Sequence, residues 1–106
     1  MEIMTFESKQ PWEIVPYTLD WTHIAAVAAG DYITSVAFAV YLSTDDPSSP
    51  TPITAMVYAT AYSNTTTTCW VGSQADAEGT YILRTRAQYA SGMRLEQEGI
   101  FVCKEI

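Results

Sequence analysis

Between Tyr81 and Tyr89 the chain alternates without a break. Tyr81, Leu83, Thr85, Ala87 and Tyr89 fall on one side of an extended backbone, and Ile82, Arg84, Arg86 and Gln88 on the other. A period of two marks a strand with one face packed and one face wet. Ser91-Gly92 follows as a tight turn and Met93 to Glu105 reads as a returning strand, so the C-terminal third is expected to be a long β-hairpin. Gly99 inside the returning strand suggests a bulge.

The same strand-forming chemistry recurs upstream. Glu13 to Leu19 is a candidate strand whose Pro16 forbids a ladder donor and so suits an edge or a bulge. Tyr32 to Leu42 is apolar on both faces, with Val36, Phe38 and Val40 alternating with Ala37, Ala39 and Tyr41, which predicts a central strand. The stretch STDDPSSPTP, Ser43 to Pro52, has the composition of an exposed loop. Ile53 to Tyr62 and Thr65 to Val71 are further strands, joined antiparallel at the Ser63-Asn64 corner, and 72–79 is a loop of small and acidic residues. Helical character is confined to Trp21, Ile24, Ala25 and Ala28, spaced three and four apart, with Asp20 or Thr22 as N-cap and Gly30 past the end. Some six strands at roughly 8 to 12 residue spacing predict an all-β fold, an antiparallel β-sandwich or small barrel with one short helical turn. Residues 1–12, with Ile3, Met4 and Phe6 apolar ahead of the Lys9-Gln10-Pro11 break, read as an N-terminal arm that completes a sheet or reaches a neighbour. Residues 13–106 form the single domain that a chain of 106 residues supports.

Charge and composition narrow the function. Twelve acidic residues against five basic ones give a net charge of -7, which repels phosphate backbones and argues against a nucleic-acid partner. The longest apolar run, Ile33 to Leu42, is about half of the ~20 residues a membrane helix needs, so no membrane span is expected. The opening MEIMTFESKQ has no apolar stretch long enough for a secretory signal, which points to synthesis in a cytoplasm. In that setting Cys69 and Cys103 are expected to be buried and reduced. Two cysteines and one histidine, widely separated, lack the spacing of a metal site.

Candidate chemical groups each have an ordinary structural explanation. His23 is the sole imidazole and no GxSxG motif accompanies it. The Asp45-Asp46 and Asp76/Glu78 pairs fall in loops where carboxylates solvate a turn, and neither follows the spaced pattern of a calcium loop. Asn64-Thr65-Thr66 matches a glycosylation sequon but reads as a turn asparagine, and Thr65 to Thr68 as strand. No enzyme activity, catalytic residue, cofactor or metal is therefore expected. The aromatic residues are too many for a thin surface, and those left exposed could stack sugars or anchor an interface. The candidate interface residues are Ile3, Met4, Phe6, Trp12, Tyr17 and Trp70.

Taken in order, Lys9-x-Pro11, Tyr17-Thr-Leu-Asp20-Trp21, Gly30-Asp31-x-Ile33, Trp70-Val71-Gly72, Gly79-Thr80-Tyr81 and Ser91-Gly92-Met93-Arg94 resemble the short phage proteins of the fiber-tail adaptor family. The resemblance runs from Lys9 to Val102, with Phe38 in place of a more usual tryptophan, a long Ser43 to Pro52 loop, and Gly72-Ser73 instead of paired glycines. It implies an immunoglobulin-like β-sandwich in the virion tail. Several copies in a ring would join fibers or spikes to the tail body, with other phage tail proteins as partners. The alternatives are a carbohydrate-binding domain and a head decoration or connector domain of the same fold.

Overall fold

The computed structural model describes residues 3–22, 30–44, 48–73 and 75–105. The described strands are β1 (Ile3–Thr5), β2 (Val15–Asp20), β3 (Ile33–Leu42), β4 (Val57–Tyr62), β5 (Thr66–Val71), β6 (Gly79–Tyr89) and β7 (Arg94–Cys103). They form two sheets, one in the order β1-β7-β6-β3 and the other β2-β5-β4. The chain is all-β, as expected, and the two sheets share a core. Tyr17, Cys69 and Val71 from one sheet meet Val40, Tyr81, Leu83, Phe101 and Cys103 from the other.

The alternation that predicted the hairpin is the one that builds this core. Tyr81, Leu83, Thr85, Ala87 and Tyr89 of β6 are all buried, and β7 runs beside them in unbroken antiparallel register from Gly79↔Cys103 to Gln88↔Arg94. At the turn, Gly92 has φ 94, the left-handed region that a side chain disfavours, and its N–H bonds the Tyr89 carbonyl at 2.9 Å. Trp21, expected to open a helix, instead lies buried just beyond β2, where its indole N–H donates to Thr67 Oγ1 at 2.9 Å. The rest of that expected helical turn, including His23, lies outside the described residues.

Four expectations need correction. Gly99 is not a bulge, since the register passes through it without a shift. It is small because the Phe6 ring lies where its Cβ would be. The long apolar strand β3 is an edge among the described strands, where it pairs with β6 alone; its outward alanines need little cover, and Ala37 is exposed. The start of the predicted strand at Ile53 is a 3-10 turn, Thr54–Met56, that drops Met56 into the core. The sheets are antiparallel except at β1, which pairs parallel to β7 through Ile3↔Glu98, Met4↔Gly99 and Thr5↔Ile100.

Beyond β1 the N-terminal segment stays on β7. Phe6 N–H bonds the Ile100 carbonyl at 2.8 Å, Lys9 N–H the Val102 carbonyl at 2.9 Å, and Lys104 N–H the Lys9 carbonyl at 2.9 Å. Residues 3–9 are thus woven into the sheet.

Candidate interaction surface

The six candidate interface residues separate into two groups. Ile3 contributes backbone pairing in β1, and Met4 and Phe6 pack half-buried against the core. The Phe6 ring stacks on Tyr17 at 4.6 Å between centroids, and Tyr17 continues to Phe101 at 5.1 Å and Phe101 to Tyr81 at 5.4 Å. This aromatic column ties the N-terminal segment to both sheets. Tyr17 is buried and its hydroxyl donates to the Glu7 carbonyl at 2.7 Å. Burial first, reinforced by neighbouring Cys103 and by the Glu13 and Glu7 carboxylates, pushes that phenol well above its ordinary range, so it serves as a donor. Phe6 and Tyr17 line an open groove of about 470 Å³ between residues 5–8 and β2. Trp12 and Trp70, by contrast, are 76% and 41% exposed.

Trp70 sits on the outward face of the three-stranded sheet. Register places it between Pro16 and Ala59, with Thr68 between Thr18 and Ala61 in the next row along. The Thr18 and Thr68 hydroxyls bond each other at 2.9 Å. Neither row carries a charge. Tyr58 and Tyr62 of β4 are 65% and 50% exposed, but they do not belong to the Trp70 row. Tyr58 falls at the register shift between Val57 and Ala59, and Tyr62 pairs with inward-facing Thr67, its hydroxyl reaching across to donate to the Thr34 carbonyl of β3 at 2.6 Å. Composition alone does not sort Tyr58 and Tyr62 into core or surface, because exposure depends on which strand ends the sheet.

The outward face of the other sheet is charged. Arg86 Nε donates to Glu96 Oε1 at 2.6 Å, Arg84 Nε lies 4.0 Å from the same oxygen, and the Arg84 guanidinium lies 5.6 Å from the centre of the Tyr41 ring. The Tyr41 hydroxyl donates to Glu98 Oε2 at 2.5 Å. Burial first, then this carboxylate, pushes its pKa up to about 12.

A buried ion pair was not legible in the sequence. Lys9 Nζ donates to Asp76 Oδ2 at 2.7 Å and to the Gln10 carbonyl at 2.8 Å, with the two charged side chains 0% and 1% exposed. Ser73 completes the site, its N–H reaching both Asp76 oxygens at 3.2 Å and its hydroxyl reaching Oδ1 at 2.5 Å. Burial alone would raise the Asp76 pKa, but the bonds from Lys9 and Ser73 outweigh it and hold the carboxylate below its ordinary value. Asp76 therefore does not solvate its loop, as its composition suggested; it fastens that loop to the N-terminal segment. Glu78 is separate from it, accepting the Glu105 N–H at 2.7 Å. Asp45 and Asp46 lie outside the described residues.

Cys69 and Cys103 are both free and buried. Burial pushes the Cys69 thiol up to about 12 and, as the largest of several influences, raises that of Cys103, which leaves both as packed thiols. Among the described residues no three His, Cys, Asp or Glu side chains converge on one point, and no helix is long and apolar enough to cross a membrane.

The framework held by the ion pair, the aromatic column and the hairpin spans the stretch matched by a family model described as podophage GP4 fiber-tail adaptor protein gp77, over residues 9–102. The chain belongs to this family. The match begins at Lys9, the cation of the buried pair, and ends at Val102, one residue before the end of β7. A search of the curated proteins finds no match. The gp77 family is one of structural phage tail adaptors rather than a class of enzyme, which places the chain among virion tail proteins that contact other tail proteins.

Proposed function

We propose that this gp77-family chain is a structural joint between the tail fibers or spikes and the tail body of a phage, present in several copies around the tail axis. The observation that carries the reading is the family match across residues 9–102, nearly the whole fold. The physical chemistry supports it. The described residues form a packed, strand-rich unit whose polar interior groups hold elements together, and whose β2-β5-β4 face presents Trp70 among threonine and alanine side chains, with a charge only at its Asp20 end, a surface suited to a lasting contact. An immunoglobulin-like sandwich is the form proposed for this unit, supported by the division of its described strands into sheets of four and three. Within that reading Trp12 and Trp70, the exposed members of the candidate interface, are the proposed anchors.

Quantitative mass spectrometry of purified virions is expected to find the chain at a multiple of the tail symmetry. Its absence from the particle would sink the proposal, and copies in the hundreds would point to head decoration instead. The carbohydrate-binding alternative draws on exposed Trp12 and Trp70. It requires glycan-array binding that Trp70→Ala removes.

A further inference from the structure

The three-stranded sheet ends on β4, which pairs with β5 on one side and has no backbone ladder on the other among the described residues. Every residue from Tyr58 to Tyr62 is exposed. Proteins commonly guard such an edge with charge, proline or a bulge; Val57–Tyr62 reads VYATAY, with neither charge nor proline, and its one register shift lies at the start of the strand, between Val57 and Ala59. No Asp, Glu, Lys or Arg occurs anywhere between Asp46 and Asp76, in a chain whose net charge is -7. Two such chains would repel over much of their surfaces. Along β4 they can approach without bringing like charges face to face.

The sequence of the edge also specifies what fits it. Tyr58-Ala59-Thr60-Ala61-Tyr62 reads the same in both directions. An antiparallel partner with the same sequence, centred on Thr60, sets Thr60 opposite Thr60, each Ala59 opposite the other copy's Ala61, and each Tyr58 opposite the other copy's Tyr62. We propose that the free edge of β4 pairs with β4 of a second copy about a twofold axis, joining the two three-stranded sheets into one continuous sheet. A twofold contact sets residue i against j and j against i, as any strand paired antiparallel with its own copy does; what this segment adds is that every such pair joins side chains of one kind, Thr with Thr, Ala with Ala and Tyr with Tyr. Threonine and aromatic cross-strand pairs are themselves favourable, and the pairing supplies partners for the free backbone groups of the edge. A strand from a different protein would gain nothing from the palindrome. The Tyr62 hydroxyl, already bonded to Thr34, stays in place because the new ladder uses only backbone.

This contact joins copies in pairs, so it stands apart from the adaptor reading, and a tail ring would need a second surface. The purified full chain, followed by analytical ultracentrifugation, is expected to show a concentration-dependent dimer. Thr60→Lys sets two ammonium groups opposite each other on the axis and is expected to raise the dissociation constant roughly a hundredfold or more. Thr80→Lys, at an exposed position on β6, is expected to leave it unchanged. Under mild oxidation Thr60→Cys is expected to yield a disulfide-linked dimer and Thr80→Cys none. A monomer at every concentration, or a dimer that survives Thr60→Lys undiminished, overturns the proposal. So does protection of the Tyr58 to Tyr62 amides from hydrogen exchange that appears only when fiber protein is added, since the edge would then belong to a foreign strand.

Discussion

Lys9 and Arg86 each hold a carboxylate at close range, 2.7 and 2.6 Å, but the Lys9 side chain is fully buried and that of Arg86 is 60% exposed. Removing the cation therefore has different consequences. Lys9→Met leaves Asp76 charged and unpaired in the interior and is expected to cost about 3 to 5 kcal/mol, whereas Arg86→Ala is expected to cost less than about 1 kcal/mol because water replaces the lost partner. Urea unfolding of the two variants at neutral pH measures both, and equal losses would refute the contrast. The same pair gives the fold a pH dependence of defined sign. With its folded pKa held below the unfolded value of about 3.9, Asp76 contributes stability that is fully present above that value and is lost as pH falls through the folded pKa. Asp76→Asn removes this contribution, so the stability gap between variant and parent should be wide at pH 7, begin to narrow near about pH 4 and go on shrinking as pH falls through the lower folded pKa. Unfolding curves across that range decide it, a constant gap being the contrary result.

At the scale of elements, the N-terminal segment does two jobs that truncation can separate. Deleting Met1 to Thr5 removes β1 and its pairing to β7 but keeps Phe6 in the aromatic column and Lys9 on Asp76. That chain is expected to remain folded with a lowered Tm. Deleting Met1 to Gln10 also strips the Phe6 ring from Tyr17 and leaves Asp76 uncompensated, losses comparable with the few kcal/mol by which small domains are stable, so the longer deletion is expected to unfold. Circular dichroism melts of the two truncations test this; a folded longer truncation would show the segment to be an accessory. The ease of reading these elements from sequence varied for physical reasons. The β6–β7 hairpin was plain because period-two alternation and the Ser91-Gly92 turn are local signals. The place of β3 was not, because Ala37 and Ala39 count as apolar in a pattern yet are small enough to face outward on an edge. The three-residue β1 is too short to carry a pattern, and the Lys9–Asp76 pair joins residues 67 positions apart, a distance across which no motif speaks. Among the candidate interface residues, aromatic identity could not separate buried Tyr17 from exposed Trp70, since both lie in adjacent strands of one sheet and differ only in the face they occupy.

For the whole molecule, charge distribution matters more than net charge. Arg84, Arg86 and Arg94 lie on β6 and β7 of the four-stranded sheet, the first two among Glu96 and Glu98, while β4 and β5 carry no charge at all. Two copies meeting at β4 are held by backbone bonds and uncharged side chains, and are opposed only by the long-range repulsion of two chains at -7 each. That repulsion has a known reach. The Debye length is about 30 Å at 0.01 M salt and about 8 Å at 0.15 M, against molecular extents of 42 × 27 × 20 Å. At low salt the charged surfaces of one copy feel those of the other across most of the dimer, and at physiological salt they do not. The dimer dissociation constant is therefore expected to fall several-fold between these two conditions, measured by sedimentation equilibrium. An interface built on the Arg86–Glu96 face would respond in the opposite sense, because salt weakens the ion pairs that hold it, and tighter association at low salt would shift the contact from β4 to that face.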